Sequence, residues 1–200
     1  LAQFGAGRRS AAVRARYGVE PGERLALFVS RLALEKNAAV LLEALALARA
    51  PARLVLAGEG PDRERLAALA ERLGLRGRAV FAGQIAREAL PELYASADVF
   101  VFPSVTETQG LVLAEALAAG CPAIAVDTPQ AREVLGTAAT YVSPTPQAIA
   151  EAIDAVPAEP AAGSAAAARA AAARFDVVLQ RDRLLGIYRG LAAGHIATPA

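Results

Sequence analysis

Residues that build disulfides and metal centres are almost missing from this sequence. Its 200 residues include one cysteine (Cys121), one histidine (His195) and neither methionine nor tryptophan. A single cysteine excludes an intrachain disulfide and suits a reducing compartment. These two residues are also too few for a metal-ligand cluster. We therefore expect no metal site, a packed thiol at Cys121 and a solvated side chain at His195.

Net charge and long hydrophobic runs are equally scarce. Lysine and arginine number 21 against 20 aspartates and glutamates, so nothing indicates the basic patch of a nucleic-acid-binding protein. The longest apolar run, residues 110–126, is broken by a glutamate, a glycine and a proline, and it predicts helix, turn and strand rather than a membrane span. Arg8 and Arg9 have no apolar core before them, so no signal peptide is visible. The start at Leu1 and the lack of methionine suggest a piece of a longer protein.

Short apolar runs alternate with helical patterns along most of the chain. The apolar runs predict six strands, at residues 25–30, 53–57, 79–81, 99–102, 123–126 and 139–142. The segments between and after them predict helices, at residues 38–49, 61–73, 88–95, 111–119 and 145–155. Runs that are apolar on both faces belong in a parallel sheet with helices on each side. The sequence therefore predicts an α/β, Rossmann-like, doubly wound parallel sheet that binds ligands beyond the carboxyl ends of its strands.

The composition divides the chain into three parts. Residues 1–24 are loop-like and predict a linker, and residues 25–156 carry the alternating pattern of the domain. Residues 157–200 begin rich in alanine and then show helical spacing of apolar residues. We favour one or two helices packed on the sheet for this last part. The alternative is a helix that crosses to a partner domain.

A basic pair follows the first predicted strand. Arg31 and Lys36 lie a few residues apart at the expected mouth of the sheet, where both side chains can reach one diphosphate. Each charge-assisted hydrogen bond there contributes roughly 1.5–3 kcal/mol. The alternative interpretation is a loop of solvated charges that leads into a helix capped by Asn37.

A strand, a polar loop and a helix start follow one another at residues 99–111. The helix opens at Gly110, with Glu107 in the loop before it and Glu115 inside the apolar helix. The first backbone N–H groups of a helix have no partner within it, and the helix dipole favours an anion there. The pattern predicts a phosphate flanked by hydroxyl groups that the two carboxylates hold.

Each glutamate has an alternative explanation. Thr106 and Gln109 have the spacing of a capping box, so the loop around Glu107 can simply start a helix. Glu115 has apolar neighbours on most sides, and a buried carboxylate needs a partner. Ribose hydroxyls or an internal arginine would both serve as that partner.

Two glycine-containing turns follow predicted strands. Gly83 precedes Gln84 and Ile85, and it lets the backbone approach a planar ring whose edge the exposed backbone groups can recognise. A plain strand-to-helix turn is the equal alternative. The turn with Gly58 and Gly60 lacks the third glycine of the dinucleotide fingerprint, which argues against a dehydrogenase.

Six short segments follow one another along residues 25–142. They are Ser30-Arg31-Leu32, Glu35-Lys36-Asn37, Gly58-Glu59-Gly60-Pro61, Phe81-Ala82-Gly83, Asp98-Val99-Phe100-Val101-Phe102-Pro103-Ser104 and the pair Glu107 and Glu115. As a set they resemble the C-terminal, donor-binding domain of family-4 GT-B retaining glycosyltransferases, the glycosyl transferases group 1. Residues 106–112 are most similar to the branch that glucosylates diacylglycerol.

The resemblance implies a nucleotide-sugar-binding domain at residues 25–156 and a role for each candidate residue. Arg31 and Lys36 match the basic pair that holds the donor diphosphate. Glu107 and Glu115 match the E-x7-E motif, whose first glutamate contacts the transferred sugar and whose second binds the ribose hydroxyls. The other matches are backbone contacts, to the distal phosphate from Gly110, Leu111 and Val112 and to the base from Gly83, Gln84 and Ile85.

The sequence departs from the family at two points. Ser30 stands where the family usually has glycine, and the N-terminal domain that completes the GT-B cleft is missing. We therefore expect donor binding without efficient transfer by this chain alone. For the intact enzyme the resemblance implies retaining transfer to a lipid or glycan hydroxyl, with no metal or other cofactor and with a UDP-sugar favoured over a GDP-sugar. It also implies a cytoplasmic protein, peripheral on the inner membrane surface at full length.

Two other functions share some of these features. A sugar-nucleotide 2-epimerase has the same two-domain plan, but it requires an acid/base set that the sequence does not show. A non-catalytic nucleotide-sugar-binding module would keep the fold without turnover, and the retained glutamates and basic pair argue against it. Because the base is recognised by the backbone, the sequence does not identify the nucleotide, the sugar or the acceptor.

Overall fold

The centre of the molecule is a parallel β-sheet with helices on both faces. The computed structural model describes residues 1–106, 110–157, 163–175 and 177–192. Within these residues, six strands form one all-parallel sheet in the order β3-β2-β1-β4-β5-β6. The strands are β1 (Arg24–Val29), β2 (Ala52–Ala57), β3 (Ala79–Gly83), β4 (Val99–Phe102), β5 (Ala123–Val126) and β6 (Ala139–Val142). The predicted fold class, a doubly wound Rossmann-like sheet, is confirmed.

Helices connect the strands and extend beyond both ends of the sheet. They are α1 (Ala2–Gly5), α2 (Ala11–Arg16), α3 (Ala38–Leu47), α4 (Arg63–Arg72), α5 (Leu90–Ser96), α6 (Leu111–Ala118), α7 (Pro129–Leu135), α8 (Pro146–Asp154), α9 (Ser164–Ala172) and α10 (Val177–Ala192). Short 3₁₀ turns lie at Leu34–Lys36 and Ala173–Phe175. Each of the five predicted connecting helices is present, with ends shifted by a few residues. The α7 helix is an additional element that the sequence pattern did not indicate.

Alternate side chains of each central strand pack into two separate apolar cores, one on each face of the sheet. In β1, Leu25 and Leu27 point into the core beneath α1, α5, α6, α7 and α9, whereas Ala26 and Phe28 point into the core beneath α3, α4 and α8. This division follows from the pleat, which sends successive side chains to opposite faces of a sheet. The strand sequences are apolar throughout because both of their faces are covered.

The direction of the chain reverses between β1 and β4. From β1 the chain adds β2 and β3 on one side, then returns to place β4, β5 and β6 on the other side. The central pair is in register at Ala26 with Val99 and Leu27 with Phe100. Loops leaving the carboxyl ends of β1 and β4 therefore run to opposite faces of the sheet, and such a reversal leaves a crevice between them.

The N-terminal segment is helical and packs on the domain. Phe4 of α1 is fully buried and meets the ring of Tyr94 edge-on at 5.8 Å. The buried carboxylate of Asp98 accepts hydrogen bonds from Arg9 at 2.6 Å and Arg14 at 2.7 Å, and from the backbone N–H of Leu25 at 2.7 Å. Helices of four and six residues are too short to show periodicity in a sequence. The segment was predicted as a linker, and the division into domains stays a prediction.

The two helices after residue 162 differ in how they pack. The α9 helix lies against α6 and buries Ala168 and Ala172, as the favoured interpretation expects of a helix packed on the domain. In contrast, apolar side chains of α10 are exposed, and these are Val177, Val178, Leu179, Leu184, Leu185, Ile187, Tyr188 and Leu191. None of the described helices is long and apolar enough to cross a membrane.

Two glycines allow the turn after β2 to cross the loop after β1 at backbone contact distance. A Cβ atom added to Gly58 would lie 1.9 Å from the carbonyl oxygen of Ser30, and one added to Gly60 would lie 2.2 Å from that of Leu32. The crossing is held by hydrogen bonds from Leu32 N–H to the Glu59 carbonyl at 2.9 Å and from Asp62 N–H to the Leu32 carbonyl at 3.0 Å. Gly58 and Gly60 are therefore required by the close approach of two backbones.

Replacing Gly58 by alanine should destabilise the domain far more than the same change at an open glycine. Gly58 combines a φ of +140° with the backbone clash, so Gly58→Ala is expected to cost about 3 kcal/mol or more. Gly74 has a φ of +69° and nothing within 4 Å of an added Cβ, so Gly74→Ala should cost about 1–2 kcal/mol. Urea unfolding of both variants measures the difference. Equal losses of unfolding free energy in the two variants would contradict the claim that the close backbone approach requires glycine at position 58.

Candidate functional site

A cavity opens beyond the carboxyl ends of the first three strands. Its volume is about 320 Å³, and it is lined by residues from three loops and α5, namely Val29, Ser30, Arg31, Ala57, Gly58, Glu59, Gln84, Ile85 and Leu90. The structure thus brings together three of the predicted binding residues, Arg31, Gln84 and Ile85. Gly83 ends β3 directly below them, with a φ of +69°. Arg31 is exposed, so its guanidinium is accessible to an anion.

The loops after β1 and β4 are joined across the crevice. The Ser104 and Thr106 hydroxyls each donate to the backbone carbonyl of Glu35, both at 3.3 Å. The side-chain amide of Asn37 donates to the Pro103 carbonyl at 3.5 Å. Lys36 lies between Glu35 and Asn37 and is half-buried, so the predicted basic residue stands where the two loops meet.

Asn37 occupies the N-cap position of α3, as one alternative interpretation expected, whereas Thr106 is not the N-cap of α6. Asn37 precedes α3 with a φ of 54°, but its side chain makes no capping hydrogen bond. Thr106 is not the N-cap of α6, because that position is occupied by Gly110. The capping-box interpretation also involves Gln109 and stays a prediction. The first glutamate of the motif, Glu107, lies outside the described residues, as does Gln109.

The start of α6 leaves its first backbone N–H groups outside the hydrogen-bond pattern of the helix. Gly110 adopts a left-handed φ of 61°, and its carbonyl accepts the first intrahelical bonds, from Leu113 N–H at 2.9 Å and Ala114 N–H at 3.2 Å. The amides of Leu111 and Val112 therefore precede the hydrogen-bonded part of the helix, as at any helix start. The Leu111 side chain is exposed and the Val112 side chain is half-buried. The anion site at this helix start stays a prediction.

Glu115 lies one turn into α6 and is 7% exposed. Its Oε2 accepts a hydrogen bond from the Tyr94 hydroxyl at 3.4 Å, and its Oε1 lies 3.5 Å from the guanidinium of Arg87. Burial raises the pKa of Glu115 above its ordinary value, while Arg87 and the Tyr94 hydroxyl oppose that rise. The sequence allowed ribose hydroxyls or an internal arginine as the partner of Glu115, and the structure shows an arginine, Arg87. It is a surface residue whose side chain is 65% exposed, rather than an internal one.

No role was predicted for three residues near the site. Arg87 and Tyr94 contact Glu115, and Glu59 lines the cavity with its carboxylate near Gly83. Arg87 lies in a charged loop that is typical of solvated surface. Tyr94 belongs to the apolar pattern of α5, where a tyrosine is most simply a core residue. The local sequence around Arg87 or Tyr94 does not indicate a contact with Glu115, because both residues are distant from Glu115 in sequence and meet it only in the fold.

The described residues hold neither a cluster of metal ligands nor an accessible thiol. They contain no cluster of three or more histidine, cysteine, aspartate or glutamate residues that could hold a metal ion. Cys121 is fully buried, as predicted, and burial raises the pKa of its thiol. A buried thiol with a raised pKa is inert rather than nucleophilic.

Residues 10–174 match the family of glycosyl transferases group 1. That match covers most of the chain, and the chain belongs to this family. It is 44% identical over 109 residues to an uncharacterised glycosyltransferase of Methanocaldococcus jannaschii, which is 54% of this chain and 28% of that protein. It is 38% identical over 165 residues to a GDP-mannose-dependent alpha-(1-6)-phosphatidylinositol dimannoside mannosyltransferase of Mycobacterium tuberculosis, which is 80% of this chain and 42% of that protein.

Solved structures show the same fold. The Anabaena protein HepE, crystallised with UDP and glucose, superposes with a TM-score of 0.80 at 25% identity, over 93% of this chain and 54% of that one. Sucrose-phosphate synthase of Thermosynechococcus elongatus gives a TM-score of 0.81 at 29% identity, over 96% of this chain and 51% of that one. The chain thus spans about half the length of these structures, and half or less of the curated relatives.

The raised pKa of Glu115 predicts a pH-dependent stability. Above the ordinary glutamate pKa of 4.5 the unfolded chain has released its proton while the folded chain still holds it, so stability at this position falls as the pH rises through that window. Glu115→Gln removes the titrating group. The unfolding free energy of the variant relative to the unchanged protein should therefore be higher at about pH 8 than at about pH 4.

Urea unfolding at the two pH values measures this change. Glu71→Gln removes a carboxylate from an exposed position of α4 and controls for the altered net charge. A Glu115→Gln variant that loses stability relative to the unchanged protein as the pH rises would contradict the assignment of a raised pKa.

Proposed function

We propose that this chain is the donor-binding half of a retaining glycosyltransferase, which moves a hexose from a nucleotide-diphosphate sugar to an acceptor hydroxyl. The observation that carries the proposal is the convergence of Arg31, Gln84 and Ile85 on one cavity. The crevice beside it, between the loops after β1 and β4, lies where a doubly wound sheet binds its ligands. Membership of the glycosyl transferases group 1 family supports the reaction class.

In this proposal each group acts on one part of the donor. Gln84 and Ile85 meet the base through their backbone, and Glu115 holds the ribose hydroxyls. Arg31 and Lys36 hold the diphosphate, and the N–H groups at the start of α6 meet its distal phosphate. As the sugar leaves, negative charge develops on the diphosphate, where fixed cations and amides stabilise it most. Glu107 contacts the transferred sugar.

A UDP-sugar is the donor that we favour. The HepE structures contain UDP, UDP with glucose or UDP-glucose, and they share 25% sequence identity with this chain. The mycobacterial relative is named as GDP-mannose-dependent. Backbone groups at Gln84 and Ile85 suit more than one base, so the choice between donors has to be measured.

The other half of the cleft would come from an N-terminal GT-B domain. Relatives are about twice as long as this chain or longer, and α10 carries exposed apolar side chains that a further domain would cover. We propose that the acceptor binds in that domain and that it is a lipid or glycan hydroxyl. A relative named alpha-monoglucosyldiacylglycerol synthase supports the lipid. A cytoplasmic enzyme, peripheral on the membrane, would meet such an acceptor.

Calorimetric titration of this chain with UDP-glucose, GDP-mannose and ADP-glucose tests the donor site. One donor should bind, and Arg31→Ala and Glu115→Ala should each weaken its binding about tenfold or more, because each removes a charged hydrogen-bonding partner. Arg72→Ala is the matched control, since Arg72 is exposed at the last turn of α4. Donor binding that both site variants retain in full would overturn the proposed site.

A further inference from the structure

Tyr94 is held rigidly with its hydroxyl beside Glu115. The residue is fully buried on α5, and its ring lies 5.8 Å from the Phe4 ring and 5.6 Å from the Phe100 ring. Aromatic packing of this kind fixes the plane of the ring. The Tyr94 hydroxyl donates to Oε2 of Glu115 at 3.4 Å, so a fixed donor meets one oxygen of the carboxylate.

Arg87 meets the other oxygen from the surface. Its guanidinium lies 3.5 Å from Oε1 of Glu115 and 5.6 Å from the centre of the Phe4 ring. The two donors differ in mobility, since the Arg87 side chain is 65% exposed whereas Tyr94 is enclosed. Orientation of the Glu115 carboxylate therefore depends mainly on Tyr94.

We propose that Tyr94 is a positioning residue, whose hydroxyl orients the Glu115 carboxylate toward the vicinal hydroxyls of the donor ribose. This inference rests on the proposed function. An ionised carboxylate has about four lone-pair sites. Tyr94 occupies one of them and Arg87 a second, which leaves capacity for the two hydroxyls of a ribose diol.

The chemistry of the pair suits this arrangement. Burial and the neighbouring Glu115 carboxylate hold the pKa of Tyr94 well above its ordinary value of 10.0. The phenol therefore stays protonated and always donates. A hydroxyl donor also stabilises the ionised form of Glu115, which burial alone disfavours. Only the ionised form is purely an acceptor for two ribose hydroxyls.

Tyr94→Phe tests the inference, because it removes the hydroxyl and leaves the ring that packs against Phe4 and Phe100. The probes are UDP and 2′,3′-dideoxyuridine diphosphate, or the corresponding guanosine or adenosine pair if the donor titrations select that base. The unchanged chain should bind the ribose form about tenfold or more tightly than the dideoxy form. Tyr94→Phe should lose most of that ratio while its affinity for the dideoxy form stays the same.

Tyr17→Phe is the matched control, since it removes a phenolic hydroxyl from a ring against the same core cluster without touching Glu115. It should keep the full ratio. A general packing defect in Tyr94→Phe would weaken both nucleotides equally, and that result would overturn the positioning role. Melting temperatures of both variants show whether the fold is kept.

Glu115→Ala separates failure of this inference from failure of the proposed function. If Glu115→Ala abolishes the ratio and Tyr94→Phe keeps it, Glu115 binds the ribose and the inference about Tyr94 is wrong. If the unchanged chain shows no preference for the ribose form, the role of Glu115 in the proposed function fails, and the inference falls with it.

Discussion

The parallel pairing of β1 with β4 is the constraint on which the site depends. These two strands are neighbours in space although three α-helices and two strands separate them in sequence. Backbone bonds and Asp98 fix the pair, since Asp98 N–H donates to the Leu25 carbonyl at 2.9 Å and its side chain accepts from Leu25 N–H. With the pair fixed, the loop that carries Arg31 and the loop before α6 must leave the sheet side by side. The crevice is a consequence of topology.

Glu115 shows how a carboxylate is accommodated inside a packed helix. Its carboxylate is buried beside Tyr94 of α5, where an ion without partners would be costly. Tyr94 from one helix and Arg87 from a surface loop satisfy it at 3.4 and 3.5 Å. Hydrogen bonds of this length are weak. They offset only part of the cost of burying the carboxylate, and the pKa of Glu115 therefore stays above its ordinary value.

Much of the fold was predictable, because apolar runs and glycines report directly on local structure. The runs at β4, β5 and β6 have the predicted bounds, and Gly74 and Gly120 follow the C-caps of α4 and α6 with a left-handed φ, as glycines commonly do. The helices α1, α2 and α7 were missed, since helices of four to seven residues are too short to show an apolar repeat. The cavity wall with Arg31 was predicted from its place after a strand. Arg87 and Tyr94 were not, because their importance arises only from contact with Glu115 across the fold.

The glycine crossing after β1 and β2 has a consequence for recognition. Ser30 N–H bonds the Ala57 carbonyl at 3.1 Å, and Gly58 N–H bonds the Gly83 carbonyl at 2.8 Å, so three strand-end loops share one backbone network. Walls tied together in this way have little conformational freedom left to lose when a nucleotide enters. In the proposed function, the entropic cost of binding on this side of the crevice would therefore be paid during folding. A base bound here would be selected by its fit to a fixed shape, rather than by loops that close around it.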